Sequence, residues 1–328
     1  MTDITVSPAR IAASSQSKPI TVRPIPSLAD WQRLMAGVPA PHLTQAHAYG
    51  EARRSNGWTP TRVAFEAGGR TVAICQILEK RIAGMRLLSR VSRGPLFLDA
   101  APPPETILAV YRALKRGWGR IGKGALVVAP SLESTPENLA LMRAAGFRIH
   151  GETGWVSAQV DLTRSEEEII GSFQPNFRNK LRKCDKLDIS LRVGNEPELV
   201  EWMIARHEEN KRDKEFAAVD DRFLRVLRDA SGNDFTILQA IHEGRPVAGI
   251  SVIRYGLGAE YFVAWFGPDG RAINAGNYLL WQAIRHMKSQ GVVMLDLGGL
   301  DPNTGYSTFK RGLRPREYTL IGECIAFL

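Results

Sequence analysis

Cysteine is scarce in this 328-residue chain: Cys75, Cys184 and Cys324 are an odd set without CxxC spacing. Neither a disulfide framework nor a zinc site is suggested, and the expected location is cytoplasmic. Histidine is also thin, six residues scattered along the chain, so no metal ligand set and no Ser-His-Asp arrangement is argued. Gly-x-Ser-x-Gly, His-Glu-x-x-His and P-loop motifs are absent. No apolar run approaches the roughly 20 residues that cross a bilayer. The opening Met1-Thr-Asp-Ile-Thr-Val lacks the basic start and apolar centre of a signal peptide. Acidic residues are outnumbered, 34 against 43 Lys and Arg, giving a formal charge of +9. Such a surface favours anionic partners: nucleic acid, nucleotide-linked sugars, CoA or acidic membrane.

What is present is enough apolar residue, 44%, for one large core or two ordinary ones. A mobile polar tail is expected over 1–19. From 20 to 156, helices are expected from Ser27 to Leu34, over 44–54, 105–119 and 136–145. Strands are expected over 61–66 and 71–81 as a hairpin across Gly68-Gly69, then over 86–91, 95–98 and 125–129. From 157 to 328 the order repeats: helices at 165–173, 176–187 and 196–212, a hairpin from 235–242 to 246–255, then 261–266, a helix over 275–290, a strand over 292–297 and an end strand over 317–327. Leu279, Leu280, Ala283, Ile284 and Met287 recur at helical spacing ahead of Gly291, which makes 275–290 the firmest element. Hairpin, loop, helix, strand is the order of a GNAT-type acyltransferase fold. The expected class is therefore α/β, two tandem GNAT-like domains with mixed central sheets.

Three constellations carry chemistry. Phe177-Arg178-Asn179-Lys180-Leu181-Arg182-Lys183-Cys184-Asp185-Lys186 places Arg178, Arg182 and Lys186 on one helix face, with Lys183 beside them. Their mutual repulsion, a few tenths of a kcal/mol per pair, would be offset by a phosphate chain, and a solvated surface helix is the plainer alternative. Arg271-Ala-Ile-Asn274-Ala275-Gly276 opens the 275–290 helix, where amide N–H groups and the positive helix end can receive a phosphate. An ordinary helix start is the alternative. The third set is Asp296, Asp301, Tyr306 and Lys310 around Gly298-Gly299. Asp296, near the end of a buried strand, needs a partner and either serves chemistry or ties down the loop. Lys310 can aim an ammonium at an oxyanion or a phosphate. His207, in a highly charged helix end, is expected to be solvated. Cys184 adjoins Lys183, which would lower its pKa.

The chain resembles the FemAB family of aminoacyl-tRNA-dependent peptidoglycan-bridge transferases, two GNAT-like domains in tandem. The resemblance rests on Gly94-Pro95, Val160-Asp161-Leu162-Thr163, the basic helix with Arg178, Arg182 and Lys183, Leu295-Asp296-Leu297-Gly298-Gly299 and Phe309-Lys310-Arg311-Gly312. It implies that an amine on a large anionic acceptor, such as a peptidoglycan precursor, attacks the ester carbonyl of a charged tRNA. Lys310 would then stabilise developing charge, with Asp296 and Tyr306 beside it. The basic helix and Arg212 would hold phosphates, with Gly298 and Gly299 at the substrate. No bound cofactor is implied, the donor being a co-substrate. The helical-hairpin arm of some members has no counterpart, since the charged helix ends by about 214. In the GNAT acyl-CoA loop the first Gly is replaced here by Asn274. An acyl-CoA donor on Arg271, Asn274, Ala275 and Gly276 is therefore the alternative, and a non-catalytic RNA- or phosphate-binding module a second one.

Overall fold

In the computed structural model, which describes residues 19–119, 124–151, 153–154, 156–214, 218–301 and 305–326, the apolar runs pair into two mixed sheets. The first half holds β1 (Ile20–Pro24), α1 (Leu28–Ala36), a 3-10 turn at Leu43–Gln45, α2 (His47–Arg54), β2 (Thr59–Ala67), β3 (Arg70–Ile82), β4 (Met85–Ser92), β5 (Leu96–Phe97), α3 (Pro104–Trp118), β6 (Ala125–Ala129), α4 (Pro136–Ala144) and β7 (Arg148–Ile149). The second holds β8 (Val156–Asp161), α5 (Glu166–Ser172), α6 (Pro175–Cys184), β9 (Ile189–Gly194), α7 (Pro197–Lys214), α8 (Asp221–Ser231), β10 (Phe235–His242), β11 (Arg245–Tyr255), β12 (Gly258–Phe266), α9 (Pro268–Ala272), α10 (Ala275–Ser289), β13 (Met294–Gly299), α11 (Gly305–Arg311), β14 (Arg316–Thr319) and β15 (Cys324–Ala326). The polar tail expected over 1–19 lies, apart from Pro19, outside the described residues.

Local chemistry sets the boundaries. Ser27 accepts from the Asp30 N–H and starts α1. Ser165 and Glu168 form a reciprocal capping box on α5. Gly68 and Gly69 both take positive φ, as a two-residue hairpin turn requires. The first sheet runs β1-β2-β3-β4-β6-β15-β7, with β5 beside β3, and the second β14-β8-β13-β12-β11-β10-β9. In each, an antiparallel hairpin leads to a strand that pairs in parallel with the strand after the next long helix: β4 with β6 across α3, β12 with β13 across α10. α5, α6 and α10 share one core with the second sheet. On its other face α7 and α8 pack together with Leu43, Ala46, Ala48 and Ala52 of the first half. Successive residues of β10, Ile237 and Leu238, feed the two cores. The two halves are thus joined through a shared apolar layer.

Several expectations are corrected. The single end strand over 317–327 is two: β14 pairs with β8 in the second sheet, and β15 crosses back to pair with β6 and β7 in the first. The last strand therefore completes the sheet of the first half, and not that of the C-terminal unit expected over 157–328. α8 and α11 correspond to no expected element. α8 buries Phe223, Leu224 and Leu227 beneath a charged outer face. The 44–54 helix is a 3-10 turn followed by α2, with Ala46 extended between them.

Candidate active site

β12 and β13 pair only from Gly258↔Met294 to Glu260↔Asp296, and beyond that point the two strands part. Two carboxylates stand side by side at the fork. Asp296 is fully buried and saturated: Ser157 Oγ on β8 and the Gly298 N–H donate to Oδ1 at 2.8 and 2.7 Å, and Tyr318 Oη on β14 donates to Oδ2 at 2.5 Å. Arg93, after β4 of the first sheet, stands 3.8 Å from Oδ2 and donates to Tyr318 Oη at 3.0 Å. Gly298 reaches back to Asp296 because its φ is +73°, where a side chain would be strained. Asp296 is thus a positioning group within a filled network, as such a buried carboxylate must be.

Glu260 differs from its neighbour, accepting no hydrogen bond among the described residues. It lines a cleft of about 860 Å³ between the halves, whose walls include Arg90, Arg93, His150, Gly299 and Glu323. Burial and then the Asp296 charge push its carboxyl up to about 8, against the opposing pull of Arg93 and Lys310.

Lys310, on α11, is 0% exposed and sits behind the Gly298-Gly299 turn. Its Nζ donates to Gly299 O at 2.9 Å and lies 3.7 Å from the centre of the Tyr306 ring and 5.7 Å from that of Tyr261. Burial lowers its pKa to about 7 although Asp296 and Glu260 both favour the charged form. Tyr306 is 45% exposed and forms the outer cover of the ammonium. α11 supplies both residues four apart on one face.

The other expected residues divide. Arg178 turns inward, donating to the Gly171 and Phe173 carbonyls at the end of α5 at 2.7 and 2.6 Å. Arg182, Lys183 and Lys186 are exposed along and just beyond α6. Arg212 is exposed on α7, across the second sheet from α6, so the structure does not bring it to the basic helix. Asn274 precedes α10 in the left-handed region, with Ala275 and Gly276 following. A Cβ at Gly276 would lie 3.2 Å from Phe266 and 3.3 Å from Phe309, so aromatic rings cover that helix start. Arg271 donates to Phe266 O at 2.6 Å. His207 is buried against Val219 O at 3.2 Å, contrary to the solvated position expected. Burial and then the Asp185 charge push the Cys184 thiol up, not down, and its Sγ donates to the Lys180, Ile273 and Asn274 carbonyls.

Glu260, Arg93, Ser157 and Tyr318 escaped the sequence reading. Arg93 alone had a local signal, its place in the Ser92-Arg93-Gly94-Pro95 turn. The others meet through sheet register.

Residues 171–311 match the family model of the acetyltransferase (GNAT) domain. No curated protein sequence matches the chain significantly. Among solved structures it is similar to FemX, with a TM-score of 0.79 at 15% identity over 94% of this chain and 97% of that one. L-PGS from Bacillus licheniformis gives 0.56 at 13% identity, over 96% and 94%. A tandem GNAT protein from the clavulanic acid biosynthesis pathway gives 0.52 at 15%, over 94% and 98%. Residues 171–311 thus match a GNAT acetyltransferase domain, and the chain as a whole has the fold of FemX and of the tandem GNAT protein.

Proposed function

We propose that the protein transfers an aminoacyl group from a charged tRNA to an amine on an anionic acceptor such as a peptidoglycan precursor. The observation that carries this reading is the fork of β12 and β13, where Glu260, a carboxylate that accepts no hydrogen bond among the described residues, faces an interdomain cleft near a buried ammonium, Lys310. The cleft is large enough for an extended acceptor, and Arg90 and Arg93 in its walls suit an anionic one. Exposed Arg182, Lys183 and Lys186 suit the phosphates of the donor. Likeness in fold to FemX supports the same choice.

In this mechanism the acceptor nitrogen attacks the ester carbonyl carbon. The N–C bond forms, the ester C–O bond breaks, and the tRNA ribose hydroxyl leaves with a proton. Glu260 takes the proton from the amine, the task to which a carboxyl raised to about 8 is matched. Lys310 places positive charge behind the Gly298-Gly299 turn, toward the developing oxyanion, with Tyr306 as its cover. Asp296 holds Tyr318, Ser157 and the turn in place. No bound cofactor enters these steps. Three buried free thiols fit the reducing cytoplasm as the place of action.

A CoA thioester is the second reading, favoured by the acetyltransferase family match and by the amides that open α10 after Asn274. The covering of Gly276 by Phe266 and Phe309 weighs against a diphosphate there. A panel of isotopically labelled aminoacyl-tRNAs and acyl-CoAs, each mixed with amine acceptors that include a UDP-linked muropeptide, separates the two. Enzyme-dependent, ribonuclease-sensitive transfer of label to the acceptor is expected. Label moving only from acyl-CoA would overturn the tRNA reading, and transfer from neither donor would overturn both.

A further inference from the structure

The most exposed large apolar side chains among the described residues are Met85 at 66% and Ile82 at 64%, and Leu87 follows at 48%. All three stand on one hairpin, Ile82-Ala83-Gly84-Met85, which turns β3 into β4 through positive φ at Ala83 and Gly84. A turn in water gains nothing from Ile and Met at these positions, and clustered apolar residues rimmed by charge mark a contact surface. The rim here is cationic. Lys80 and Arg81 precede the turn and Arg86 follows it. Arg116 is exposed on the last turn of α3, which touches the hairpin where Arg86 Nη2 donates to Gly117 O at 3.1 Å and its guanidinium lies 5.8 Å from the Trp118 ring centre. The neighbouring carboxylate, Glu79, is sunk beneath, its side chain 2% exposed and held by Trp118 Nε1 at 2.8 Å and by Arg81 and Arg86. Glu79 is thus turned inward together with Arg86, and Lys80 Nζ donates to Asn56 O at 2.5 Å over the Trp58 ring, so the apolar groups turn out with Arg81 and Arg116.

We propose that this hairpin docks the protein on an anionic lipid surface, with Ile82, Met85 and Leu87 entering the boundary between head groups and acyl chains while Arg81 and Arg116 meet lipid phosphates. A convex tip of three side chains is too small for a specific protein interface, which takes roughly 800 Å² from each partner. A bilayer asks for no shape complementarity, only apolar area beside positive charge. β4 then runs from Met85 at the tip to Ser92, next to Arg93 in the cleft. At about 3.3 Å per residue the strand would hold the cleft some 25 Å from the lipid. The docking does not depend on which acyl donor is used.

The test is co-sedimentation of the full chain with vesicles of phosphatidylcholine alone and of phosphatidylcholine mixed with phosphatidylglycerol. Binding to the mixed vesicles only, weakening as salt rises, is expected. The double variant Ile82→Ser with Met85→Ser should lower the partition coefficient about tenfold or more, since two apolar side chains no longer enter the lipid. Arg81→Gln with Arg116→Gln should lower it in the mixed vesicles by a similar factor. Melting curves separate lost docking from lost folding: the Ser variant should melt like the parent, and the Gln variant somewhat lower, since Glu79 is then left to Arg86 and Trp118. Equal binding to both vesicle types, no binding by the parent protein, or undiminished binding by both variants would overturn the proposal. So would a parent protein that self-associates in the ultracentrifuge through a contact the Ser variant loses, because a second copy would then cover the tip.

Discussion

Two parallel strand pairs, one in each sheet, follow the same plan to different ends. β4 and β6 stay paired from Leu88↔Ala125 to Ser92↔Ala129. β12 and β13 part after Glu260↔Asp296. The helices between the strands differ in the same sense. α3 opens on Pro102-Pro103-Pro104, where prolines withhold amide donors. α10 opens on a left-handed Asn274 with Ala275 and Gly276 behind it. The closed pair has given up the room in which a ligand could lie, and its strand end instead sends Arg90, Ser92 and Arg93 into the wall of the cleft. The open pair keeps the room and fills it with Lys310. One copy of the plan thus forms a wall and the other the candidate site.

The sharpest way to break this comparison is to remove the ammonium from the open fork. Lys310→Met keeps the apolar stem and should lower turnover by about 10²- to 10³-fold, the usual worth of a group aimed at developing charge. KM should change little, because the residue is buried behind Gly299. At the closed pair, Ser131→Ala removes a hydrogen bond to Pro95 O and should cost only about 1 kcal/mol of stability. Single-turnover transfer rates and melting curves check both. Equal losses of rate at the two forks would sink the division of labour.

With Glu260 needed ionised at about 8 and Lys310 needed charged at about 7, the pH profile should be a bell centred between the two, and Glu260→Gln should lower the rate by about 10²-fold and remove its acid limb. Its effect on stability has the opposite sense. The folded carboxyl holds its proton more tightly than the unfolded one, so the native protein loses stability as pH rises from about 4.5 through 8. The Gln variant, which cannot ionise, should therefore melt higher than the parent at pH 8 and much like it at pH 4.5. A variant inactive at every pH yet less stable than the parent at pH 8 would mean that Glu260 holds the fold rather than moves a proton.

How far the site could be seen beforehand follows from the range of the forces that build it. α10 was legible because Leu279, Leu280, Ala283, Ile284 and Met287 are bought into the core by a 3.6-residue period, and all are buried. Asp296, Gly298 and Lys310 were legible because a carboxylate in an apolar run, a pair of glycines and a lone Lys after Phe309 are local departures from pattern. Glu260 was not, since Gly258-Ala259-Glu260-Tyr261 reads as an ordinary strand, and only its register against Asp296 makes the carboxyl unusual. Tyr318 and Ser157 likewise act through pairing with β8 and β13. The destination of β15 was hidden because a strand of three residues carries no mark of the sheet it joins. α11 was missed because its seven residues bury little beyond Ser307 and Lys310.

The mildest test uses His42, which the first half contributes beside Tyr318, ring centroids 6.5 Å apart. Burial, reinforced by Arg93 and opposed by Asp296, lowers its pKa to about 3. The fold keeps this imidazole neutral, whereas the unfolded chain binds a proton below about 6.5. Stability from His42 is therefore complete above 6.5 and is lost as pH falls toward 3, amounting to about 1.4 kcal/mol at pH 5.5. His42→Gln should flatten the acid side of the stability curve, while Glu260→Gln flattens the alkaline side. If both variants moved the same side, the two halves would not be meeting at this fork with opposite demands on charge. Opposite limbs, measured by urea unfolding across pH 4.5 to 8, would tie the wall residue and the site residue to one shared network around Asp296.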